Sequence, residues 1–484
     1  MIDPKNLRRV SKLECGPVEL KLFVNLKKTQ GYLACRLQNG AFLAMSEVVS
    51  FIANEGITEY KIELIEKFVE KVNSKETTDE LALIANGIEP ESGKDGHVVL
   101  VEKPYPREHV FETKDENAGK FDHQIDYKNL EKISNVLPGQ VLAIIQPQVE
   151  GSFGMDIYGN PVHPSRCNPP KYNLGANVIV DDNKILSTKD GLFLLIGETY
   201  SVSPIYVVNG NVDYHTGHIN FVGTVKVTGD VLTDFHVQAE SDIMVFGNVD
   251  STQIQSNSSV VVLGGVNGDK KALIKAGDNF NAKYVNGARV ETGKNIYVSD
   301  YVSNSDIKCN GAYIGVKSAI ISGKVVTKNG VKVGSIGSSK SSGVEVITGV
   351  DYTIEDELVS LKNKISEINS SIKKLTPNVA PWIGKREELK KQPESKIAKI
   401  VSMLNEIQHM HKEINSLNER TSELILLRNK VIENDCEIFV KDMIYSGSKI
   451  VMGDSFREFF QDCEGPVYMK VNRELDLIIM RRVQ

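Results

Sequence analysis

Residues 209–249 read "NGNVDYHTGHINFVGTVKVTGDVLTDFHVQAESDIMVFGNV". Hydrophobic residues alternate with small polar ones, as in a strand, where successive side chains point to opposite faces. Glycine and aspartate interrupt the alternation every few residues, so each strand is short and a turn follows. The texture persists to about residue 350 through "VVVLGG", "IYVSD" and "VKVGS". Positions in matching context are Ile243, Val260, Phe280, Ile296, Tyr313 and Val331, at intervals of 17, 20, 16, 17 and 18 residues. Strands of a sandwich would return roughly every 8–12 residues. The longer period with shorter strands is that of a β-solenoid, whose coils pair their backbones with the coils on either side. The fold class expected is mainly β, a right-handed β-helix over 196–352 with about seven coils. Val225, Val245, Val261 and Ile296 are its candidate interior residues, since branched side chains pack well on a pleated surface. Glycine and asparagine are expected at corners, where the backbone needs positive φ.

Three other textures flank the repeat. Residues 1–195 mix strand-like runs ("VELKLFVNL", "HVVLVEK", "QVLAIIQP", "GLFLLIG") with the helical pattern of "ITEYKIELIEKFVEKV". Ile62, Ile65, Phe68, Val69 and Val72 share one face of that helix, so an α+β domain is expected. In 353–434 the apolar series Leu358, Leu361, Ile365, Ile368, Ile372, Leu375 alternates spacings of 3 and 4. After Pro377, Pro381 and Pro393 a second series runs through Ile400, Met403, Ile407, Met410, Ile414, Leu417, Thr421, Leu424 and Arg428. This is a coiled-coil seam, and prolines between two such segments favour an antiparallel hairpin. Strand alternation resumes in 435–484, so the hairpin is expected as an insertion and the tail as strands that close the open end of the solenoid.

The shorter heptad segment spans about five turns and covers only part of the longer one. Uncovered seam residues among Ile400, Met403, Ile407, Met410, Ile414, Leu417 and Leu424 are therefore candidates for contact with a partner or a second protomer. Methionine at two of these positions suits an adaptable surface.

The net charge of −6, with lysine interspersed among acidic residues, argues against nucleic acid as a partner. No window of about 18 apolar residues could cross a membrane as a helix, and the first residues lack the apolar core of a signal peptide. Six cysteines lie far apart with no C-x-x-C pair, which fits free thiols in a reducing, cytoplasmic setting and offers no zinc cluster.

Catalytic and ligand signals are weak. "DYHTGH" gives Asp213, His215 and His218 at a spacing that converges on a cation only if the loop folds back; decoration of the first coil is the simpler account. His409 and His411 lie two apart on a helix and do not share a face. "GGVNGDKK" is not a phosphate loop, and corners explain its glycines. His236 sits within the repeat, where an acyltransferase of the hexapeptide-repeat kind would keep its general base, but the drifting intervals disfavour that class. Asp95 in "PESGKDG" and Asp156 in "GSFGMDIYG" are expected in tight turns rather than in a calcium or phosphate site. Neither a catalytic residue nor a cofactor is expected.

The ordered series "GNVDYHTGHINFVGTVKVTGDV", "VVVLGGVNG" and "IKAGDNFNAKYVNGARVETGKNIYVSDYVSNSDIKCNG" resembles the β-helix of the bacterial flagellar assembly protein A family. Upstream, "GIEPESGKDG" and "VLPGQVLAIIQPQVEGSFGMDIYGNPV" are similar to that family's N-terminal domain. The resemblance covers about 80–480. It implies a cytoplasmic, non-enzymatic protein, a link to polar flagellation, and as partner the unphosphorylated glucose-specific IIA component of the sugar phosphotransferase system. The expected function is a scaffold that works by protein contacts; an acyltransferase or a self-assembling β-helical filament are the alternatives.

Overall fold

The computed structural model describes residues 7–38, 40–74, 80–105, 133–340, 343–385, 392–432, 436–472, 475 and 477–482. The chain divides into two compact units, Met1–Lys103 with Gln140–Leu186 and Ile196–Tyr200, and Pro104–Gly139 with Ser187–Leu195 and Ser201–Gln484.

In the first unit, strands Leu7–Cys15, Val18–Asn25, Gln30–Leu37 and Ala82–Asn86 form an antiparallel sheet in that order. Val18, Leu20, Leu22 and Val24 alternate onto its buried side. Helices α1 (Met45–Asn54) and α2 (Ile62–Asn73) share that core. Ile65, Phe68 and Val72 of α2 are buried as expected, whereas Ile62 is exposed because, as the first residue of the helix, it stands clear of the packed turns. A second sheet takes Val178–Asp181, Lys184–Ser187, Val141–Gln146 and His97–Leu100 in that order. Asp156 does hold a tight turn: its Oδ1 accepts from the backbone N–H of Tyr158 and Asn160 at 2.9 and 2.8 Å. Asp95 instead reaches across the chain, accepting from the Asn168 backbone N–H at 2.8 Å and from its side-chain amide.

The second unit holds the repeat. The six positions chosen by spacing are register partners in turn: Ile243 with Val260, Phe280, Ile296, Tyr313 and Val331. Tyr206 and Val225 extend the column on one side and Ile438 on the other. A second column runs Val212, Val231, Val249, Val266, Val285, Val302, Ile320, Ile336, Ile444. A third runs Ile219, Val237, Ile254, Ile274, Val290, Ile307, Val325, Val346, Ile450. Each coil thus contributes three inward stations, and every one of these residues is buried. Parallel pairing puts like over like about 4.8 Å apart, so one core of branched side chains runs the length of the stack. Eight coils span 205–348, one more than expected.

Val225, Val245 and Ile296 face inward as expected, but Val261 does not. Val260 and Val262 occupy the inward positions of "VVV", and period-two alternation turns the residue between them out. Large inward residues are matched by small ones on the same strand: Phe280 with Ala282, and Tyr313 with Gly315. The Tyr313 hydroxyl lies 2.9 Å from Ser318 Oγ, which in turn donates to the Gly315 carbonyl.

The expected positive φ occurs at several corners, among them Gly210, Gly287, Gly323, Gly330 and Asn304, and a second device holds others. Asn211 Oδ1 accepts the backbone N–H of Asp230, Asp230 Oδ1 that of Asn248, and Asn248 Oδ1 that of Gly265, each one coil on. A second such ladder passes through Asp242, Ser259, Asn279 and Asn295 to Ala312. Gly247 needs no positive φ; a Cβ there would press into Asp230 Oδ1 and the Gly229 carbonyl oxygen. Close approach, not left-handed backbone, explains glycine at this corner.

The helical hairpin is an insertion, as expected. Val331 pairs with Ile438 and Val346 with Ile450, both parallel, so the stack resumes in register after the excursion. It then ends by reversing direction: Ser455–Glu458, Val467–Asn472 and Leu477–Arg482 pair antiparallel and close the sheet.

Val245→Asp buries an unpaired charge and is expected to cost several kcal/mol. Val261→Asp, facing out, is expected to melt within a few degrees of the parent. Thermal melts of the two variants check the inward and outward assignments, and equal losses would refute them. Gly247→Ala is expected to cost roughly 1–3 kcal/mol by overpacking the corner, read from the denaturant midpoint.

Candidate interaction surfaces

Two helices build the arm: α3 (Tyr352–Val379) and α4 (Glu394–Ile432). Asp351 caps α3, accepting from the Thr353 backbone N–H at 3.2 Å and from the Thr353 hydroxyl. Its other oxygen accepts from Lys328 Nζ on the solenoid at 3.0 Å. Burial alone would raise the Asp351 carboxyl, but the bonds from Thr353 and Lys328 outweigh it and hold it below the usual carboxylate range. Lys308 pairs with Asp356 at 2.9 Å, and the Tyr352 backbone N–H donates to Asn310 Oδ1. The base of the arm is therefore tied to two successive coils.

The expected seam is present. Leu361, Ile400 and Leu424 are buried, and Leu358, Ile365, Ile368, Met403, Ile407, Met410, Ile414 and Leu417 are partly buried. Arg420 bonds Glu357 at 2.9 Å and Arg428 bonds Glu355, so an early residue of α3 meets a late residue of α4 and the helices are antiparallel. The shorter helix is longer than expected: 28 residues, about eight turns, against 39 in α4. Pro377 lies inside α3 rather than in the turn. It is exposed, as is Lys373 one turn earlier, so water can take the carbonyl that proline leaves unbonded. Residues 386–391 of the turn lie outside the described residues.

One feature of the arm was not singled out from the sequence. Ile425, Leu426 and Leu427, which follow the buried Leu424 around α4, are all exposed, and Val359 of α3 is exposed as well. Apolar residues around the whole circumference of a surface helix are a signal that sequence can carry. In "ELILLRN" that signal is hidden by the stronger heptad reading.

The histidine candidates are placed on the first coils. Asp213 Oδ1 accepts the His215 backbone N–H at 2.8 Å, shaping its own loop. His218 Nδ1 accepts the His236 backbone N–H at 3.1 Å, and the two rings stack with centroids 4.6 Å apart. The motif is thus drawn into bonding along the coil. Among the described residues no group of three or more His, Cys, Asp or Glu is placed to hold a metal ion. His236 is exposed, while His409 and His411 are exposed beside the seam residue Met410. None of the six cysteines is in a disulfide, and no described helix is long and apolar enough to cross a membrane.

The outward faces carry charge ladders one coil apart: Glu345 sits between Lys324 at 2.9 Å and Lys449 at 3.3 Å. The lysine bonds, Lys324 first, hold its carboxyl below the usual range.

These features define a β-solenoid protein with an inserted antiparallel helical hairpin. Two family profiles match it: the Flagellar Assembly Protein A beta solenoid domain over residues 204–475, and the Flagellar Assembly Protein A N-terminal region over residues 12–198. The chain belongs to the flagellar assembly protein A family. Comparison with curated proteins and with solved structures yields no match.

Asp351→Ala removes the α3 cap and one tie to the solenoid, with an expected cost of about 1–2 kcal/mol near neutral pH. Because the folded carboxyl titrates below its unfolded value, this contribution is complete above the ordinary carboxylate range. It fades as pH falls through the lowered folded pKa. Denaturant melts of parent and variant are expected to differ near pH 7 and to converge in acid.

Proposed function

We propose that this chain is a non-enzymatic, cytoplasmic scaffold that acts in flagellar assembly through protein contacts, with the helical hairpin as its reaching element. The observation that carries this reading is the way the arm is mounted. It leaves the solenoid after the strand of Val346 and returns at Ile438 with the coil register intact, and Asp351, Asp356 and Tyr352 pin its base. Such mounting transmits force and fixes orientation, which a binding platform needs and a catalytic cleft does not. Four segments share the work in this account: an N-terminal domain over 1–195, the solenoid over 196–352, the arm over 353–434, and closing strands over 435–484.

Family resemblance supplies the partner: the unphosphorylated glucose-specific IIA component of the phosphotransferase system. Seam residues Ile400, Met403, Ile407, Met410, Ile414, Leu417 and Leu424 hold the two helices together, and their partly buried members lend apolar edge to the contact. Ile425, Leu426, Leu427 and Val359 offer the exposed remainder, to the IIA component or to a second protomer.

The test is calorimetric titration of the IIA component from the same bacterium into the purified chain and into Ile414→Asp with Leu417→Asp. Binding is expected for the unphosphorylated form, with loss of roughly tenfold or more in the double variant while the β signal in circular dichroism persists. Sedimentation of both proteins reports whether the arm also joins protomers. Undiminished binding by the double variant would remove the arm from the account. Unchanged flagellar number and placement in a deletion strain would sink the scaffold reading itself.

A further inference from the structure

A face of the solenoid lined by no residue of the arm carries a groove that this account leaves unused. It crosses four coils, has a volume of about 660 Å³, and is lined by Val261, Leu263, Tyr297, Ile314 and Val316. Leu263, Tyr297 and Val316 are 58, 38 and 39% exposed, large values for apolar side chains gathered in one place. The concavity has a cause in the chain. Between the first and second inward columns, Val285 follows Phe280 by five residues, Val302 follows Ile296 by six, and Ile320 follows Tyr313 by seven. In the groove's first coil Val266 follows Val260 by six, so the corner is shortest in the second coil and longest in the fourth, where the exposed Val316 and Lys317 stand out as a wall.

Charge frames this apolar floor. Along the stack the outward column reads Lys226, Met244, Val261, Asn281, Tyr297, Ile314, Lys332, each in register with the next. Lys226, two coils before Val261, and Lys332, one coil after Ile314, bound this run beyond the groove itself, Asn281 interrupts it midway, and Lys283 and Lys317 line the side of the groove. Asp300, 4.0 Å from Lys283, is the acidic group beside them.

Spacing selects the shape of the occupant. Coils recur about every 4.8 Å and an α-helix laid along the stack repeats about every 5.4 Å, so the two drift apart by less than about 2 Å across the four coils of the groove. An extended ligand repeats on one side about every 6.6–6.8 Å and falls out of step after two coils. The six coil intervals from Lys226 to Lys332 cover about 29 Å, the length of roughly 19 helical residues.

We propose that this groove, together with the outward column that continues it to Lys226 and Lys332, seats one amphipathic α-helix of a partner protein, about five turns long, with an apolar stripe along the floor and carboxylates at both ends and on the flank facing Lys283 and Lys317. The proposal shares with the scaffold reading only the premise of a protein partner. It makes no use of the arm or of the IIA component.

The test uses a fluorescent synthetic peptide of about 20 residues, with leucines at helical 3–4 spacing and glutamates on its ends and flank. Controls are the same peptide with lysine for every glutamate, and a version broken by central prolines. Anisotropy is read with the full chain, with Val261→Asp plus Val316→Asp, and with Lys226→Glu plus Lys332→Glu. The glutamate peptide is expected to bind the parent, the lysine and proline peptides at least about tenfold more weakly, and the aspartate double variant to lose about tenfold. The glutamate double variant is expected to reverse the preference between the two charged peptides. Equal binding of the charged peptides, equal binding of the broken one, or indifference to Val261 and Val316 each overturns the proposal. A parent dimer that the aspartate pair dissolves would also overturn it, since the groove would then belong to a second copy of this chain. Failure here leaves the IIA titration untouched, because no residue of the arm takes part.

Discussion

Every other feature of the second unit depends on the in-register stacking of parallel coils. Backbone pairing with the coil above and below leaves no freedom to slip, since a shift of one residue would send the whole inward set to the surface. A side chain therefore meets its own equivalents for the length of the molecule, and the three inward columns must each stay apolar. Where a large residue enters, as at Phe280 or Tyr313, the strand itself makes room with Ala282 or Gly315 rather than asking a neighbouring coil to yield. The corners obey the same rule in polar terms. Asn211, Asp230 and Asn248 each hand a side-chain oxygen to the next coil's backbone, where a turn would otherwise leave an N–H without an intramolecular acceptor.

How much of this was legible follows from which signals are local. Alternation and interval are local, so Ile243, Val260, Phe280, Ile296, Tyr313 and Val331 could be aligned by eye and are register partners in the structure. Val261 was misassigned because three valines in a row erase the alternation that tells inside from outside. The corner ladders were missed for a different reason. Asparagine and aspartate in turns are explained well enough by turn dihedrals, and nothing in one coil reveals that its amide serves the next. In the arm, heptad spacing shows the pairing of the helices, but a proline in sequence signals a break, and only its exposed setting explains why Pro377 sits within α3. The groove was invisible for a more basic reason. It arises from small differences in corner length between coils, and those appear only once the inward columns have been set side by side.

The two candidate surfaces differ in physical character. The arm presents apolar residues on paired helices whose base is pinned to two coils, so its contact is held at a fixed orientation outside the stack. The groove is cut into stacked strands whose spacing is fixed, so its contact must match a given rise and charge pattern.

The hairpin's placement has an evolutionary corollary. Its two ends are pinned in neighbouring coils, with Val331 beside Ile438 and Val346 beside Ile450, whatever lies between. Seven residues added to each helix would preserve the seam, leave both registers untouched and move the tip outward by about 10.5 Å. The reach of the arm is thus an independent dimension of the molecule, free to lengthen or shorten by whole heptads like a telescoping boom on an unchanged mast.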